Sequence, residues 1–289
     1  MSERLSLEEV TAILLNEHNQ EYADSIPPKA LYKILYFVHQ QLEKKHIDAE
    51  IPYYWYMYGT KLKTTGTGIS VKQTPNGQRV SVDIGVSEIE ADSYTISQVR
   101  DVTSEELKRY YKKKLKGITN DMYRETPYEI QRVYRELDQQ LGVSTNQEQA
   151  SLFMDNNRTA IKQSLVRFAQ SFPSESFPEQ EKTMWLWYGL MSSELLDENF
   201  DSNDLQRLAK KFWRYFCLEL ALRENNDITK EEIEADRNID DIHQEQQRIE
   251  TELLHRERQT AREFSRTTKA SKRAAEAFVL PSLEIEVEV

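Results

Sequence analysis

The side chains that most often carry catalysis or metal binding are few in this chain and widely spaced. The only cysteine, Cys217, lies in the run Phe-Trp-Arg-Tyr-Phe-Cys-Leu-Glu-Leu, which is typical of a buried apolar side chain and not of a reactive thiolate. The histidines are His18, His39, His46, His243 and His255. No two of them have the spacing of roughly three to five residues at which two imidazoles on one helix bind zinc. The pattern therefore indicates no catalytic thiol, no disulfide framework and no zinc site.

The glycines do not form a phosphate-binding loop. Gly66 and Gly68 are close together, but the residues after them alternate as in a strand, whereas glycine-rich phosphate loops lead into a helix. Carboxylate pairs are frequent, as expected on the surface of a chain with a formal net charge of -11. We therefore predict a protein that is not an enzyme and that uses no cofactor and no metal. An enzyme with an unrecognised set of catalytic residues is the remaining alternative.

Basic side chains in the N-terminal half could contact nucleic-acid phosphates. The candidate nucleic-acid contacts are Lys61, Lys63, Lys72, Arg79, Lys112, Lys113, Lys114 and Lys116. The lysines between 112 and 116 have a second interpretation, in which they are solvated and interact with the negative end of a helix dipole. The overall acidity disfavours DNA binding, although a basic face can coexist with an acidic remainder.

The elements that would position these residues begin with two helices. Ser6-Leu7-Glu8-Glu9 matches a capping box and predicts a helix over 7–19. Pro27-Pro28 predicts the start of a second helix, which extends to about Lys45. Because apolar side chains cover most of the circumference of this second helix, we expect it to be the central helix of its domain.

A β-hairpin is predicted after these helices. Residues 69–73 and 78–84 alternate in polarity around Asn76-Gly77, and glycine supplies the positive φ that a tight reversal needs. The order helix, helix, aromatic turn, hairpin is winged-helix-like in shape. We therefore predict an N-terminal helical domain with a β-hairpin wing over residues 1–142.

The chain beyond the hairpin is predicted to be helical. A helix is expected to start at Thr103 and to stop at Gly117, and another is expected over 127–141. The segment 142–146 is rich in turn-forming residues and is the predicted domain boundary. Residues 147–226 are predicted to form an aromatic-rich helical bundle, in which tryptophan and phenylalanine are core and not a ligand site.

The last part of the chain predicts a long helix. No glycine or proline occurs between 228 and 280, so one uninterrupted, coiled-coil-like helix is expected there, with a tail over 281–289. The candidate oligomer seam, spaced alternately by four and three residues, consists of Ala235, Ile239, Ile242, Gln246, Ile249 and Leu253. Acidic side chains dominate the start of this helix and basic side chains its end, so an antiparallel copy would pair opposite charges. We hypothesise a homo-oligomer; the alternative is a helix that folds back on its own domain.

An aromatic run follows the predicted central helix and ends at a glycine. Within Tyr53-Tyr54-Trp55-Tyr56-Met57-Tyr58-Gly59-Thr60, the candidate contacts for a protein partner are Tyr53, Tyr54, Trp55 and Tyr58. The alternative interpretation is that the same aromatic side chains form a helix core and a packed turn.

The central helix and the aromatic run together resemble a known family. Leu31-Tyr32-Lys33-Ile34-Leu35-Tyr36-Phe37 followed by Trp55-Tyr56-Met57-Tyr58-Gly59 is similar to the signature of Panacea-type antitoxin domains. The resemblance covers residues 28–62, and Thr60 stands where that family usually has proline. It implies a helical interaction domain in a prokaryotic toxin–antitoxin or phage-defence setting that acts by binding a partner.

The sequence thus predicts a mainly α fold that begins with the hairpin-bearing helical domain and ends in a helical bundle with a long coiled-coil-like helix. The predicted function is that of a non-enzymatic prokaryotic interaction protein, antitoxin-like or otherwise regulatory, which binds a protein partner and itself. The alternative function is a winged-helix-type DNA-binding transcriptional regulator. No run approaches the ~20 apolar residues of a membrane helix, and no signal region is recognisable, so we expect a soluble, cytoplasmic protein with no membrane partner.

Overall fold

The computed structural model describes residues 4–75, 77–144, 150–197 and 201–266, and it describes side chains there except at 143, 144, 150–157 and 263–266. The fold is mainly α, as predicted, with 66% helix and small sheets. The chain divides into two units, each made of two separate segments. The first unit comprises Met1–Glu125 and Leu220–Asp240, and the second comprises Thr126–Glu219 and Asp241–Val289.

The helices and strands of the described residues are numbered in chain order. The helices are α1 Leu7–Glu21, α2 Pro28–Lys44, α3 Ser93–Tyr110, α4 Leu115–Met122, α5 Glu129–Ser144, α6 Ala150–Gln170, α7 Pro178–Leu196, α8 Ser202–Arg223, α9 Lys230–Arg237 and α10 Ile242–Arg266. The strands are β1 Leu5–Ser6, β2 Ala49–Glu50, β3 Tyr53–Tyr56, β4 Gly59–Leu62, β5 Ile69–Thr74, β6 Gly77–Val82 and β7 Asn225–Asn226. A short 3₁₀ helix, Val86–Glu88, precedes α3.

The first unit is built around α2. The predicted capping box at the start of α1 is confirmed, because Ser6 Oγ accepts from the Glu9 amide at 3.2 Å and Glu9 Oε2 accepts from the Ser6 amide at 2.7 Å. α2 begins at Pro28, as predicted, and contacts α3, α4, β2, β4 and β6. Its apolar side chains are almost fully buried, so α2 forms the centre of the first unit's core.

The strands of the first unit form three small sheets. β5 and β6 pair antiparallel across the predicted reversal, which confirms the hairpin, and Gly77 has φ of 114°. β1 pairs with β2 in parallel. β3 pairs with β4 where an aromatic turn was predicted, and β7 adds to the other edge of β3. The aromatic run is therefore the middle strand of a sheet whose third strand comes from a distant part of the chain.

The predicted helix over 103–117 is wrong at both ends. α3 starts ten residues earlier, because Asp92 caps it by accepting from the amides of Tyr94 and Thr95, each at 3.0 Å. Thr103 is fully buried inside α3, and its hydroxyl donates to the Arg100 carbonyl. Gly117 lies within α4 and does not end a helix.

In the second unit, aromatic side chains form the core, as predicted. Trp187 and Trp213 are both 0% exposed, and Trp213 stacks on Tyr134 with ring centres 4.0 Å apart. The Trp187 indole donates to the Leu208 carbonyl at 3.1 Å, which satisfies its buried N–H. Cys217 is also fully buried, and burial raises the pKa of its thiol, as expected for an unreactive core cysteine.

The predicted continuous helix from 228 is interrupted. Its predicted first turn is confirmed by a capping box between Thr229 and Glu232, but α9 ends at Arg237. The next residue, Asn238, has the left-handed conformation with φ and ψ both 52°. α10 then starts afresh, with Asp241 Oδ1 accepting from the Gln244 amide at 2.8 Å. Asparagine tolerates the left-handed region and aspartate caps helices, so residues 238–241 carry a stop and a start signal. Residues 267–280 and the tail 281–289 lie outside the described residues.

Four of the six residues of the candidate oligomer seam are buried. Ile242, Gln246, Ile249 and Leu253 are all at most 6% exposed, and they lie on α10, which packs against α7 within the second unit. Gln246 Nε2 donates to the Tyr215 carbonyl at 3.4 Å. On α9, Ala235 is exposed, and Ile239 beyond its end is half-buried. The seam hypothesis is therefore corrected for these residues: the helix folds back on its own unit, which was the alternative interpretation.

The units also divide the chain differently from the predicted ranges 1–142, 147–226 and 228–280. The boundary falls at 125/126, and residues 220–240 belong to the first unit. Residues 220–240 belong to the first unit because β7 pairs with β3. The boundary was predicted from turn-forming residues at 142–146, and these carry no information about pairing between distant strands.

Candidate functional site

The turn between β3 and β4 is held by two side chains from elsewhere in the first unit. Lys33 of α2 is 8% exposed, and its Nζ donates to the Tyr58 carbonyl at 2.7 Å. Tyr123, at the end of α4, donates its hydroxyl to the Met57 carbonyl, also at 2.7 Å. The Met57 and Tyr58 carbonyls of the reversal are therefore both hydrogen-bonded to side chains, which restrains the turn.

Gly59 is required where β4 begins. Its φ is 105°, which side-chain-bearing residues rarely adopt, and a Cβ there would overlap Met122 Sδ and lie 2.9 Å from Lys33 Nζ. The Thr60 amide also points at Met122 Sδ, at 3.2 Å. Two parts of the segment that carries the family resemblance, α2 and the β3–β4 turn, thus contact each other, and both contact α4.

The candidate partner contacts separate into buried and exposed side chains. Tyr54 and Trp55 are 0% and 3% exposed, so the prediction that they contact a partner is corrected: they belong to the core. The Tyr54 hydroxyl donates to Asp236, and burial raises the pKa of this tyrosine. Tyr53 is half-buried against Tyr36, with ring centres 5.1 Å apart. Tyr58 is 47% exposed at the tip of the turn.

The candidate nucleic-acid contacts also separate. Lys61 forms an ion pair with Asp236, Lys63 with Glu232, and Lys113 with Asp121. Burial lowers the pKa of Lys61, and the hydrogen bond that its amine donates to Asp236 opposes that shift. Lysines committed to such pairs would have to break them to reach a phosphate, so these three residues are poor candidates for DNA contacts.

The remaining basic candidates are exposed. Lys72 and Arg79 lie directly opposite each other on β5 and β6. Lys112, Lys114 and Lys116 are exposed between α3 and the first turn of α4. Among the predicted contacts, the hairpin pair and these three lysines are thus the ones that are exposed and form no ion pair within the described part of the chain.

The residues that hold the turn were not singled out by sequence reasoning as functional. Lys33 lies inside the apolar stripe of α2, and a lysine in such a position was the available signal for a buried amine with a specific partner. Met122 and Tyr123 carried no signal, because α4 was not predicted as a separate helix. Their proximity to Gly59 and Met57 arises only from the packing of α4 on α2.

The comparisons with protein families, characterised proteins and solved structures give no match for this chain. Within the described residues, no group of three or more His, Cys, Asp or Glu side chains could hold a metal ion. Over the same residues, none of the helices is both long and apolar enough to cross a membrane.

Proposed function

We propose that this protein is a non-enzymatic interaction protein, antitoxin-like, that binds a protein partner through the surface around Tyr58. The observation that carries the proposal is an exposed aromatic ring on a turn whose carbonyls are held by Lys33 and Tyr123. A ring displayed on a fixed turn loses little conformational entropy on binding, which is why preorganised tyrosines are frequent anchors of interfaces. The resemblance of residues 28–62 to Panacea-type domains supplies the partner class, a toxin or another defence component.

The seam of α10 has no part in this proposal, because Ile242, Ile249 and Leu253 are covered inside the second unit. Partner binding would instead use the first unit, in which α2, β3 and β4 form a rigid support for Tyr58.

The proposal is tested with the protein encoded by the neighbouring gene. We expect co-expression with this chain to relieve any growth inhibition by that protein, and the two purified proteins to form a complex. Tyr58→Ala should weaken the complex by about tenfold or more, as for a central aromatic anchor. Tyr94→Ala is the matched control, because it removes a tyrosine that is 72% exposed elsewhere in the first unit.

Unchanged affinity after Tyr58→Ala, or an equal loss after Tyr94→Ala, would contradict the assignment of the surface. Rapid turnover of a small molecule by the purified chain, abolished by one substitution, would contradict the non-enzymatic function.

A second candidate is winged-helix-type DNA binding, and one observation favours it. Lys72 and Arg79 stand side by side and exposed on the β5–β6 hairpin, where a wing would contact phosphates. If this function holds, duplex DNA should bind with a steep salt dependence, and Lys72→Gln should reduce the slope of log K against log salt by about 0.9. Lys29→Gln removes an exposed charge from α2 and should leave the slope unchanged. No binding at low salt would exclude the second candidate.

A further inference from the structure

A cavity of about 300 Å³ lies between α1 and β6 in the first unit, and the proposed function does not use it. One part of its lining is apolar and includes Leu15, Ile26 and Val82. This volume is at the lower end of the range of roughly 300 to 1,000 Å³ that small-molecule sites occupy. The space therefore suits a small compound with an apolar body.

His18 gives the cavity a buried polar group in need of a partner. The side chain lines the cavity, is 1% exposed, and its Nε2 has no hydrogen-bond partner among the described residues. Its ring packs against Tyr22 and Tyr111, with ring centres 5.3 and 4.8 Å away, so its position is fixed. A buried polar atom without a partner is unfavourable, and a ligand that bonds to it would remove that penalty.

Arg79 gives the cavity its positive charge. It lines the cavity from β6, is exposed, and forms no ion pair with any carboxylate in the described part of the chain. Asn16, Asn19 and Ser81 also line the cavity. A guanidinium group binds planar oxyanions through two parallel hydrogen bonds, so Arg79 is the main candidate to hold an anion. The Asn16 amide already donates to Glu17 at 3.4 Å, and the Ser81 hydroxyl bonds to that of Ser70 at 2.9 Å.

We propose that this cavity binds a small organic acid, with the apolar body between α1 and β6 and the oxyanion head on Arg79 and His18. Lys72 serves as an internal comparison, because it is exposed directly opposite Arg79 on the hairpin but does not line the cavity. A site defined by the cavity must distinguish these two cations, whereas general attraction of anions to the hairpin would not.

The test is an NMR titration of the full chain with benzoate, followed through the backbone amides. We expect saturable shifts at millimolar benzoate for amides of α1 and β6, and weaker binding by about tenfold or more for Arg79→Gln. Lys72→Gln, which removes the same charge, should bind as the wild type does. Benzyl alcohol tests the need for the charge and inorganic phosphate tests the need for the apolar body; both should bind more weakly than benzoate. Phenyl phosphate, compared with benzoate, decides which oxyanion head the site prefers.

A second readout reports on His18 directly. Burial lowers the pKa of His18; a side-chain hydrogen bond with Asn19 and the charge of Asp24 raise the pKa, and the charge of Arg79 lowers it. A bound anion should raise the pKa of His18, which is measurable from its imidazole proton shifts with and without benzoate. The proposal is overturned if millimolar benzoate leaves α1 and β6 unperturbed, if Arg79→Gln and Lys72→Gln have equal effects, or if inorganic phosphate binds as well as benzoate.

Discussion

Lys33 shows how a single polar side chain can organise an apolar centre. It lies among the buried residues of α2, yet its amine is used to hold the carbonyl of Tyr58, which lies across the core in another element. Removing an amine from water is expensive unless hydrogen bonds replace the water, so the position constrains both α2 and the turn. The stability of this arrangement depends equally on Gly59, whose missing side chain leaves room for Lys33 and Met122.

Gly59→Ala should therefore be strongly destabilising. It adds a methyl group where Met122 Sδ and Lys33 Nζ already lie and places alanine at a positive φ, so we expect a loss of about 2 to 5 kcal/mol in the free energy of unfolding. Gly66→Ala is the control, because Gly66 has a φ of 81° but no atom within 4 Å of the added Cβ. It should lose only about 1 kcal/mol from backbone strain. Urea denaturation measures both, and equal losses would show that the contact with Met122 is unimportant.

Two buried histidines predict that acid weakens the fold. Burial lowers the pKa of His18 and of His39 below the ordinary value of 6.5. As the pH falls below that value, the unfolded chain takes up protons before the folded chain does, so the free energy of unfolding decreases until the folded-state pKa is passed. The decrease is at most about 1.4 kcal/mol per pH unit for each histidine.

Urea denaturation of the wild type and of His18→Gln between about pH 7.5 and about pH 5.5 measures this effect. The variant should show a shallower decrease, because it lacks one of the two groups. His243→Gln removes an exposed histidine and should retain the slope of the wild type. A slope in His18→Gln as steep as that of the wild type would refute the assignment.

At the scale of elements, the break between α9 and α10 changes the meaning of the heptad-like spacing. The spacing itself continues across residues 235–253, but the left-handed Asn238 separates it into two helices that belong to different units. Ile242, Ile249 and Leu253 then satisfy the seam pattern by packing against their own unit. An apolar stripe of this period indicates that a helix is covered on one face, and it does not indicate whether the cover comes from the same chain.

Paired substitutions test this arrangement. Ile249→Ala should lower the free energy of unfolding by about 2 to 4 kcal/mol, because it leaves a cavity in the core of the second unit. Ala235→Lys should change it by no more than about 0.5 kcal/mol, because Ala235 is exposed. In a coiled-coil seam both positions would be buried. A large loss of unfolding free energy in Ala235→Lys would therefore support the continuous helix. Thermal denaturation combined with a mass measurement for each variant separates the two arrangements.

At the scale of the whole molecule, the first unit is completed by a segment far along the chain. β7 pairs with β3, the Glu224 carbonyl accepts from the Trp55 amide at 2.9 Å, and Asp236 binds both Tyr54 and Lys61. Arg4 adds an ion pair with Asp227 at 2.5 Å. The folded first unit therefore includes residues 220–240, and its stability depends on contacts of very large sequence separation.

Asp236→Ala is the substitution that tests this closure. It leaves the half-buried Lys61 amine and the buried Tyr54 hydroxyl without their shared acceptor, so we expect a loss of about 1 to 3 kcal/mol. Asp240→Ala, which removes an exposed carboxylate nearby, should be within about 0.5 kcal/mol of the wild type. Similar stability of the two variants in urea would show that the returning segment contributes little.

Local signals in the sequence were sufficient for the parts of the fold that depend on neighbouring residues. The capping boxes at Ser6 and Thr229, the start of α2 at Pro28, and the β5–β6 hairpin are each determined within a few residues, because caps and tight reversals are satisfied by local hydrogen bonds. The helical class follows from the same periodicity. The family resemblance stays a prediction. The antitoxin-like function and DNA binding also stay predictions, since each depends on a partner molecule.

Tertiary structure decided which of the predicted site residues are accessible. Tyr54 and Trp55 carry the same aromatic signal as Tyr58, but Tyr54 is buried with its hydroxyl on Asp236, and Trp55 is buried with its ring centre 5.7 Å from that of Tyr36. Tyr58 stays exposed on the turn. Lys61 and Lys72 are both lysines on strands, yet within the described residues Lys61 forms an ion pair and Lys72 does not; the partner of Lys61 is Asp236, 175 residues later. Side-chain type and spacing are local properties, whereas burial and charge pairing depend on which distant segments meet, and no local pattern specifies that.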